Sequence, residues 1–334
     1  MAITPTPEQQ SRPPQFWAVL IGIDGYLHTP QLSGCVSDAN EMERYLIDTL
    51  HVPGNHIQCL LRDDSQIAAR VDPNSDPSDD PTRNNIIQTL RNLPAKNNIR
   101  KDDKIIIYFA GHGSIYLNSD YYKEGTIESF GCSQALCPSD RDQGTPDIGD
   151  RLINDILSKI SKDTGAHITV ILDCSHSSGI TQGIPGAIPH NANPREQDEA
   201  DFGDTEGKRH TSPLSLTFEA MFDSPEDTKW GNFQHRKSEK WVPNMKSHVL
   251  LAACQGYQQA KEIKKEDVSR GVFTKALIEV LESKEWKEKE LKEKTYDALT
   301  GQLNAHKLEG KTQTSIAIGE RKNTQLWSQE PVKQ

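Results

Sequence analysis

A carboxylate, a thiol, a hydroxyl and an imidazole follow one predicted strand in direct succession. The strand covers residues 168–172, five β-favouring residues in a row, which is typical of a strand buried on both faces. The next four residues are Asp173, Cys174, Ser175 and His176. Thiols and hydroxyls form covalent intermediates when a base lies within hydrogen-bond reach. The cluster therefore indicates a nucleophile at the end of a buried strand.

His112 is the candidate base for that nucleophile. It follows a second predicted strand, residues 104–109, and is flanked by Gly111 and Gly113. The two glycines let the backbone approach a substrate without a Cβ in the way. Catalytic groups of open parallel sheets collect at the carboxyl ends of the strands. We therefore expect His112 and the cluster at Ser175 to meet at one edge of a sheet.

The apolar pattern predicts an α/β fold that positions these groups. Six strands are predicted at residues 16–24, 56–62, 104–109, 168–172, 247–254 and 315–318. Segments with helical spacing separate them, at residues 37–50, 82–93, 150–164, 272–283 and 296–305. This alternation predicts a central, mostly parallel six-stranded sheet with helices on both faces.

Composition divides the chain into five segments. We expect residues 1–15, rich in Pro and Gln, to be a disordered arm, and residues 321–334 to be a tail. Residues 16–177 and 247–320 carry the predicted strands. Between them, residues 178–246 form a long polar insert, which we interpret as a flexible linker or processing loop.

The overall composition argues against several classes of partner. The 334 residues include 38 basic and 48 acidic side chains, a net charge of −10, which disfavours nucleic acid as a partner. No apolar run approaches the roughly 20 residues of a membrane span. The six cysteines show neither a CxxC pair nor metal-ligand spacing, which is typical of reduced core thiols. We expect a cytoplasmic protein without membrane association or a bound metal.

Several short motifs, in order, resemble one peptidase family. They are LIGID (20–24), GCVSDA (34–39), YFAGHGS (108–114), ALCPSD (135–140), ITVILDCSHS (168–177), HVLLAAC (248–254) and GVFTKAL (271–277). The chain resembles caspase-like peptidases of the metacaspase branch, most of all the fungal caspase-domain proteins. The resemblance implies a caspase-like fold and a Cys-His endopeptidase with His112 as general base and acid. It also implies that residues 16–177 and 247–320 correspond to the large and small subunits.

The nucleophile position departs from the family pattern. In the family, the cysteine directly before the histidine attacks the substrate, and here that residue is Ser175. A hydroxyl in a Cys-His frame is not appreciably ionised near pH 7 and is a poor nucleophile. The chain is therefore expected to be inactive, either as a natural homologue or as a silenced peptidase. Cys174 precedes this position and should face away from His112 if Ser175 faces it.

The resemblance also implies a substrate class. Acidic residues of the metacaspase branch select Arg or Lys at P1, the substrate residue before the cleaved bond, and Asp38 and Asp173 match them. Such carboxylates can hold a guanidinium by bidentate, charge-assisted hydrogen bonds. The alternative for Asp38 is a role as a helix cap. The expected partners are protein or peptide substrates with P1 Arg or Lys, with the chain a monomer or weak dimer.

Many metacaspases are activated by calcium, but this chain matches the residues involved poorly, and no cofactor is expected. Asp150 is kept, but Ser133, Arg151 and the region around Gln182 depart from the acidic pattern, and calcium wants several oxygen ligands. An active form could cut itself in the insert at one of its basic residues, Arg195, Lys208, Arg209, Arg236 or Lys237. Two other functions stay open: a non-catalytic pseudopeptidase that binds basic peptides or an active homologue, and a hydrolase that uses Ser175 itself.

Overall fold

The computed structural model describes residues 12–63, 78–117, 132–174, 243–254, 260, 262–265, 268–306 and 313–327. Ser175, His176 and most of the predicted insert lie outside the described residues. The predictions made for them stay predictions.

A six-stranded sheet forms the centre of the fold. Its strands, in chain order, are β1 (Phe16–Ile23), β2 (Ile57–Arg62), β3 (Lys104–Ala110), β7 (His167–Asp173), β8 (His248–Ala252) and β11 (Ile316–Ile318). Their spatial order is β11-β8-β7-β3-β1-β2, and every pair is parallel except β11 with β8. The predicted mostly parallel α/β sheet is therefore confirmed.

Two smaller antiparallel sheets lie outside the central one. One has three strands, β4 (Gly113–Leu117), β5 (Cys132–Leu136) and β6 (Ile148–Gly149), and the other is the pair β9 (Glu262–Lys265) and β10 (Val268–Gly271). The first of these sheets begins directly after His112, at Gly113.

Helices cover both faces of the central sheet. They are α1 (Cys35–Arg44), α2 (Arg83–Asn97), α3 (Asp150–Thr164), α4 (Val272–Glu282), α5 (Lys284–Glu288) and α6 (Tyr296–Ala305). The apolar residues of α2 and α3 share one core cluster with alternate side chains of β1, β3 and β7. Those of α1, α4, α5 and α6 share a second cluster on the opposite face. No helix in the described ranges is both long and apolar enough to cross a bilayer.

The packed domain extends beyond the limits of 16 and 320 that we expected. Arg12 forms a two-pronged ion pair with Asp103, with nitrogen–oxygen distances of 2.8 and 2.6 Å, and Gln15 N donates to the same carboxylate. Burial alone would raise the pKa of Asp103, but these donors lower it below its usual range. At the other end, Leu326 and Trp327 are buried in the second core cluster. Charge pairing and hydrogen bonding thus hold residues 12 and 15 against the domain, and apolar burial holds residues 326 and 327.

Candidate active site

His112 lies just beyond β3, and its ring is oriented by a backbone carbonyl. Its Nε2 is 2.6 Å from the carbonyl oxygen of Pro30, in the loop between β1 and α1. A carbonyl oxygen only accepts hydrogen bonds, so Nε2 carries the proton. In the neutral ring, Nδ1 is then the nitrogen that can accept a proton, as a general base must.

The strand register brings the two predicted catalytic segments to one edge of the sheet. Ala110, the last residue of β3, pairs with Asp173, the last residue of β7. His112 comes two residues after the first of these and Ser175 two residues after the second. Since Ser175 is outside the described residues, its contact with His112 remains a prediction.

Cys174 is a core residue. It is 1% exposed and lies in the cluster that includes the apolar residues of α2 and α3. Burial raises the pKa of the Cys174 thiol well above its usual value, and the neighbouring Cys254 and Asp173 raise it further. A buried, protonated thiol is not a nucleophile, because the thiolate is the reactive form.

Asp38 and Asp173 come from distant elements and meet at the start of α4. Oδ2 of Asp38 accepts a hydrogen bond of 2.7 Å from the amide of Gly271. Oδ2 of Asp173 accepts bonds from Thr274, 3.1 Å from its amide and 2.7 Å from its hydroxyl. Negative groups are favoured at a helix N-terminus, where backbone N–H groups lack intrahelical partners.

The predicted pair is therefore brought together, and both side chains are buried, with 2% of Asp38 and 6% of Asp173 exposed. The alternative role of Asp38 as the cap of its own helix is wrong. Helix α1 begins at Cys35, and Asp24 accepts from the amides of Cys35 and Val36 instead, at 2.7 and 3.2 Å. Asp38 instead accepts a hydrogen bond at the start of α4, from the amide of Gly271, which is 233 residues further along the chain.

A buried chain of hydroxyl groups fixes the Asp173 carboxylate. The Thr274 hydroxyl donates to Asp173, so its oxygen accepts from the hydroxyl of Tyr108, 2.6 Å away. Tyr108 is fully buried in β3, and burial, followed by the charges of Asp38 and Asp173, raises its pKa well above the ordinary value. Tyr108 therefore stays protonated and can donate over the whole physiological pH range.

A shallow pocket opens beside the acidic pair, between α1 and α4. Its lining includes Asp38, Glu41, Arg270, Thr274 and Ile278. Within it, Arg270 and Glu41 form an ion pair of 2.8 Å. The lining also holds Glu279 and Lys275, so three carboxylates and two cationic groups surround the pocket, and Asp173 is not part of the lining.

Asp150, the acidic residue kept from the family's calcium pattern, is buried at the start of α3. Asp150 is 1% exposed, and its Oδ1 accepts from the amide of Arg151 at 2.7 Å. Burial raises the pKa of Asp150 to about 7, against the lowering effects of Arg151 and backbone donors. Within the described ranges, no group of three or more His, Cys, Asp or Glu residues is arranged to hold a metal ion.

Three residues of the site were not singled out in sequence: Tyr26, Gly271 and Thr274. Gly271 and Thr274 lie in the family-like motif GVFTKAL, but only the tertiary structure reveals that they face the two aspartates. Tyr26 donates to the carbonyl of Cys137 and accepts from the amide of His112, both at 3.0 Å. Nothing in the sequence distinguishes it from an ordinary core tyrosine.

The sheet order, the helices on both faces and the strand ends define a caspase-like α/β domain. The family model described as "Metacaspase, peptidase C14 domain" matches residues 17–183. The chain therefore belongs to the metacaspase family, a family of cysteine peptidases, and the resemblance drawn from its motifs is confirmed.

Named relatives agree with this assignment. Metacaspase-3 of Arabidopsis thaliana is 31% identical over 163 residues, which is 49% of this chain and 40% of that protein. Metacaspase-1 of Scheffersomyces stipitis is 27% identical over 160 residues, 48% of this chain and 35% of that protein. The match thus spans less than half the length of these relatives.

A solved structure shares the fold. A protein from Geobacter sulfurreducens aligns over 92% of this chain and 94% of its own, with a TM-score of 0.55 and 14% identity. At this level of identity the likeness concerns the fold alone.

Proposed function

We propose that this chain carries a caspase-type peptidase site in which position 175 is the nucleophile position and His112 the general base and acid. The observation that supports this most strongly is the pairing of Ala110 with Asp173, because His112 and Ser175 follow that pair at the same distance along the chain. Membership of the metacaspase family adds the reaction class, which is amide hydrolysis through an acyl-enzyme.

The chemistry at this site follows from the tautomer of His112. A thiol at position 175 would give its proton to Nδ1 and attack the substrate carbonyl carbon. The imidazolium, held by Pro30 through Nε2, would then protonate the leaving amine, and water would hydrolyse the thioester. With Ser175, the first proton transfer is unfavourable because a hydroxyl is far less acidic than a thiol. We therefore propose that the chain as it stands turns over little or no substrate.

The proposed substrates carry Arg or Lys at P1. The support is the convergence of Asp38 and Asp173 beside a pocket that also holds Glu41. Each aspartate directs one oxygen, Oδ2, to the start of α4. Two buried carboxylates that meet at one point, Asp38 and Asp173, favour a cationic side chain over an acidic one.

The test is a Ser175→Cys variant assayed with two fluorogenic peptides that differ only in P1, Arg or Asp. We expect cleavage of the Arg peptide, loss of that cleavage on adding His112→Gln, and no cleavage of the Asp peptide. A folded Ser175→Cys protein that binds the Arg peptide but never cleaves it contradicts the proposal.

A second candidate function is supported by Ser175 itself. A family member without the nucleophile can bind basic peptides, or pair with an active homologue, without cutting. This binding function predicts that the unaltered chain binds an Arg-terminated peptide in calorimetry and that Asp173→Asn weakens that binding. It also predicts that Ser175→Cys does not hydrolyse the peptide. Hydrolysis of the Arg peptide by the Ser175→Cys variant therefore distinguishes the two functions.

A further inference from the structure

The hydroxyl of Tyr26 interrupts a β-ladder at His112. In the small antiparallel sheet, Gly113 of β4 pairs with Leu136 of β5, so the next pair in that register is His112 with Cys137. In an antiparallel ladder, two residues that face each other as a hydrogen-bonded pair are normally joined by two backbone N–H···O bonds, one in each direction. Here one is direct: the Cys137 amide donates to the His112 carbonyl at 3.1 Å.

The second bond of the pair passes through Tyr26. The amide of His112 donates to the Tyr26 hydroxyl at 3.0 Å, and that hydroxyl donates to the Cys137 carbonyl at 3.0 Å. The hydroxyl thus occupies the place of a direct bond and holds the two strands apart on one side. A ladder opened on one side bends, as it does at a β-bulge.

The surroundings of Tyr26 fit this role. Tyr26 is 1% exposed, and its ring lies 4.8 Å from the His112 imidazole, centroid to centroid, at an interplanar angle of 59°. A Cβ at Gly111 would lie 2.9 Å from the Tyr26 hydroxyl, so glycine there leaves room for it. Burial raises the pKa of Tyr26 well above its ordinary value, so the hydroxyl keeps the proton that it donates.

We propose that Tyr26 is the positioning residue of His112: by opening the ladder at this pair, it sets the backbone from which the imidazole reaches the Pro30 carbonyl. The consequence for catalysis rests on the proposed function, whereas the effect on the imidazole does not. Without the hydroxyl, His112 and Cys137 close into a direct pair, the backbone shifts, and the 2.6 Å bond from Nε2 to Pro30 weakens.

The test uses the full chain with its native Ser175, labelled with ¹⁵N-histidine. Long-range ¹H–¹⁵N correlation spectra report the tautomer and the titration of His112, whose signals are assigned with His112→Gln. Tyr26→Phe removes only the hydroxyl. Tyr296→Phe is the matched control, because its buried hydroxyl bonds Thr169 at 2.5 Å in the core.

We expect the native chain and Tyr296→Phe to show the Nε2–H tautomer of His112. In Tyr26→Phe, the two nitrogen signals should move towards averaged positions and the titration midpoint should shift. Unchanged His112 signals in a folded Tyr26→Phe protein overturn the proposal. If Tyr26→Phe does not fold, a nuclear Overhauser contact between the Tyr26 hydroxyl proton and the His112 amide of the native chain supports the proposal, and its absence overturns it.

Activity supplies a separate readout. In the Ser175→Cys background, Tyr26→Phe should lower kcat about tenfold or more with little change in KM, since misplacing a catalytic group affects the reacting geometry rather than binding. An inactive Ser175→Cys protein counts against the proposed function and leaves the tautomer result standing. An unchanged kcat in an active protein counts against Tyr26 alone.

Discussion

The carboxylates of Asp38 and Asp173 both lie against one glycine, Gly271. A Cβ built on Gly271 would come 2.7 Å from Oδ2 of Asp38 and 2.3 Å from Oδ2 of Asp173. Two negative groups so close together repel each other, and the backbone donors at the start of α4 offset that repulsion. Helix α4 thus holds in place the acidic pair to which we assign substrate selection.

Gly271→Ala should destabilise the protein by about 1–3 kcal/mol, as overpacking of a well-filled site does. The φ of Gly271's backbone is −64°, which suits any residue, so the effect is steric. Gly301→Ala is the control: it lies inside α6, has open space at the Cβ position, and should stabilise by about 0.5–1 kcal/mol. Urea unfolding of both variants measures the difference. Equal effects of the two substitutions would contradict the crowded arrangement at Gly271.

Thr274→Val should remove about 1–3 kcal/mol of stability. Valine keeps the shape but leaves the buried Tyr108 hydroxyl without its acceptor and Asp173 with one donor fewer. Thr300→Val removes a hydroxyl that donates to two carbonyls of its own helix, at 3.2 and 3.0 Å, and should change stability by less than about 0.5 kcal/mol. Urea midpoints of the two variants should therefore differ. A neutral Thr274→Val would show that the hydroxyl chain contributes nothing.

Charge removal at the acidic pair should reduce the cleavage of Arg peptides. In the Ser175→Cys background, Asp38→Asn or Asp173→Asn should lower kcat/KM about 10–100-fold, because a charge-assisted bond to a guanidinium is lost. Asp140→Asn is the control, since Asp140 accepts from the amide of Arg83 at the start of α2. Peptide assays at several ionic strengths measure the effect. Undiminished kcat/KM in both acidic-pair variants would remove the pair from substrate selection.

Asp150 should make stability fall as pH rises towards neutrality. Its pKa is about 7 in the fold, against about 4 in an unfolded chain, so the folded state binds the proton more tightly. This contribution is fully present below about pH 4 and is lost as pH rises through 7. Between those values, the native chain should lose on the order of a few kcal/mol relative to Asp150→Asn, measured by urea unfolding at each pH. Parallel pH profiles would contradict the raised pKa.

The sequence predicted the sheet well because its strands are long, continuous apolar runs, as in β3 and β7. It also predicted that Asp38 and Asp173 belong together. It did not predict that Gly271 and Thr274 bind them, because hydrogen bonds between residues more than 100 positions apart depend on how helices pack. Helix α1 begins two residues before the predicted start at residue 37 for a similar reason, since Asp24 caps it from eleven residues upstream.

The central claim is that His112 and position 175 form one catalytic pair, and the reactivity of a thiol introduced there tests it most directly. Cys35, Cys137, Cys174 and Cys254 are buried, and mass spectrometry of the digested protein can follow iodoacetamide alkylation of the peptide that carries position 175 as a function of pH. We predict that Ser175→Cys reacts with a thiol pKa well below 8.5, and that adding His112→Gln returns it to the ordinary range. The same pKa with and without His112 would contradict the account.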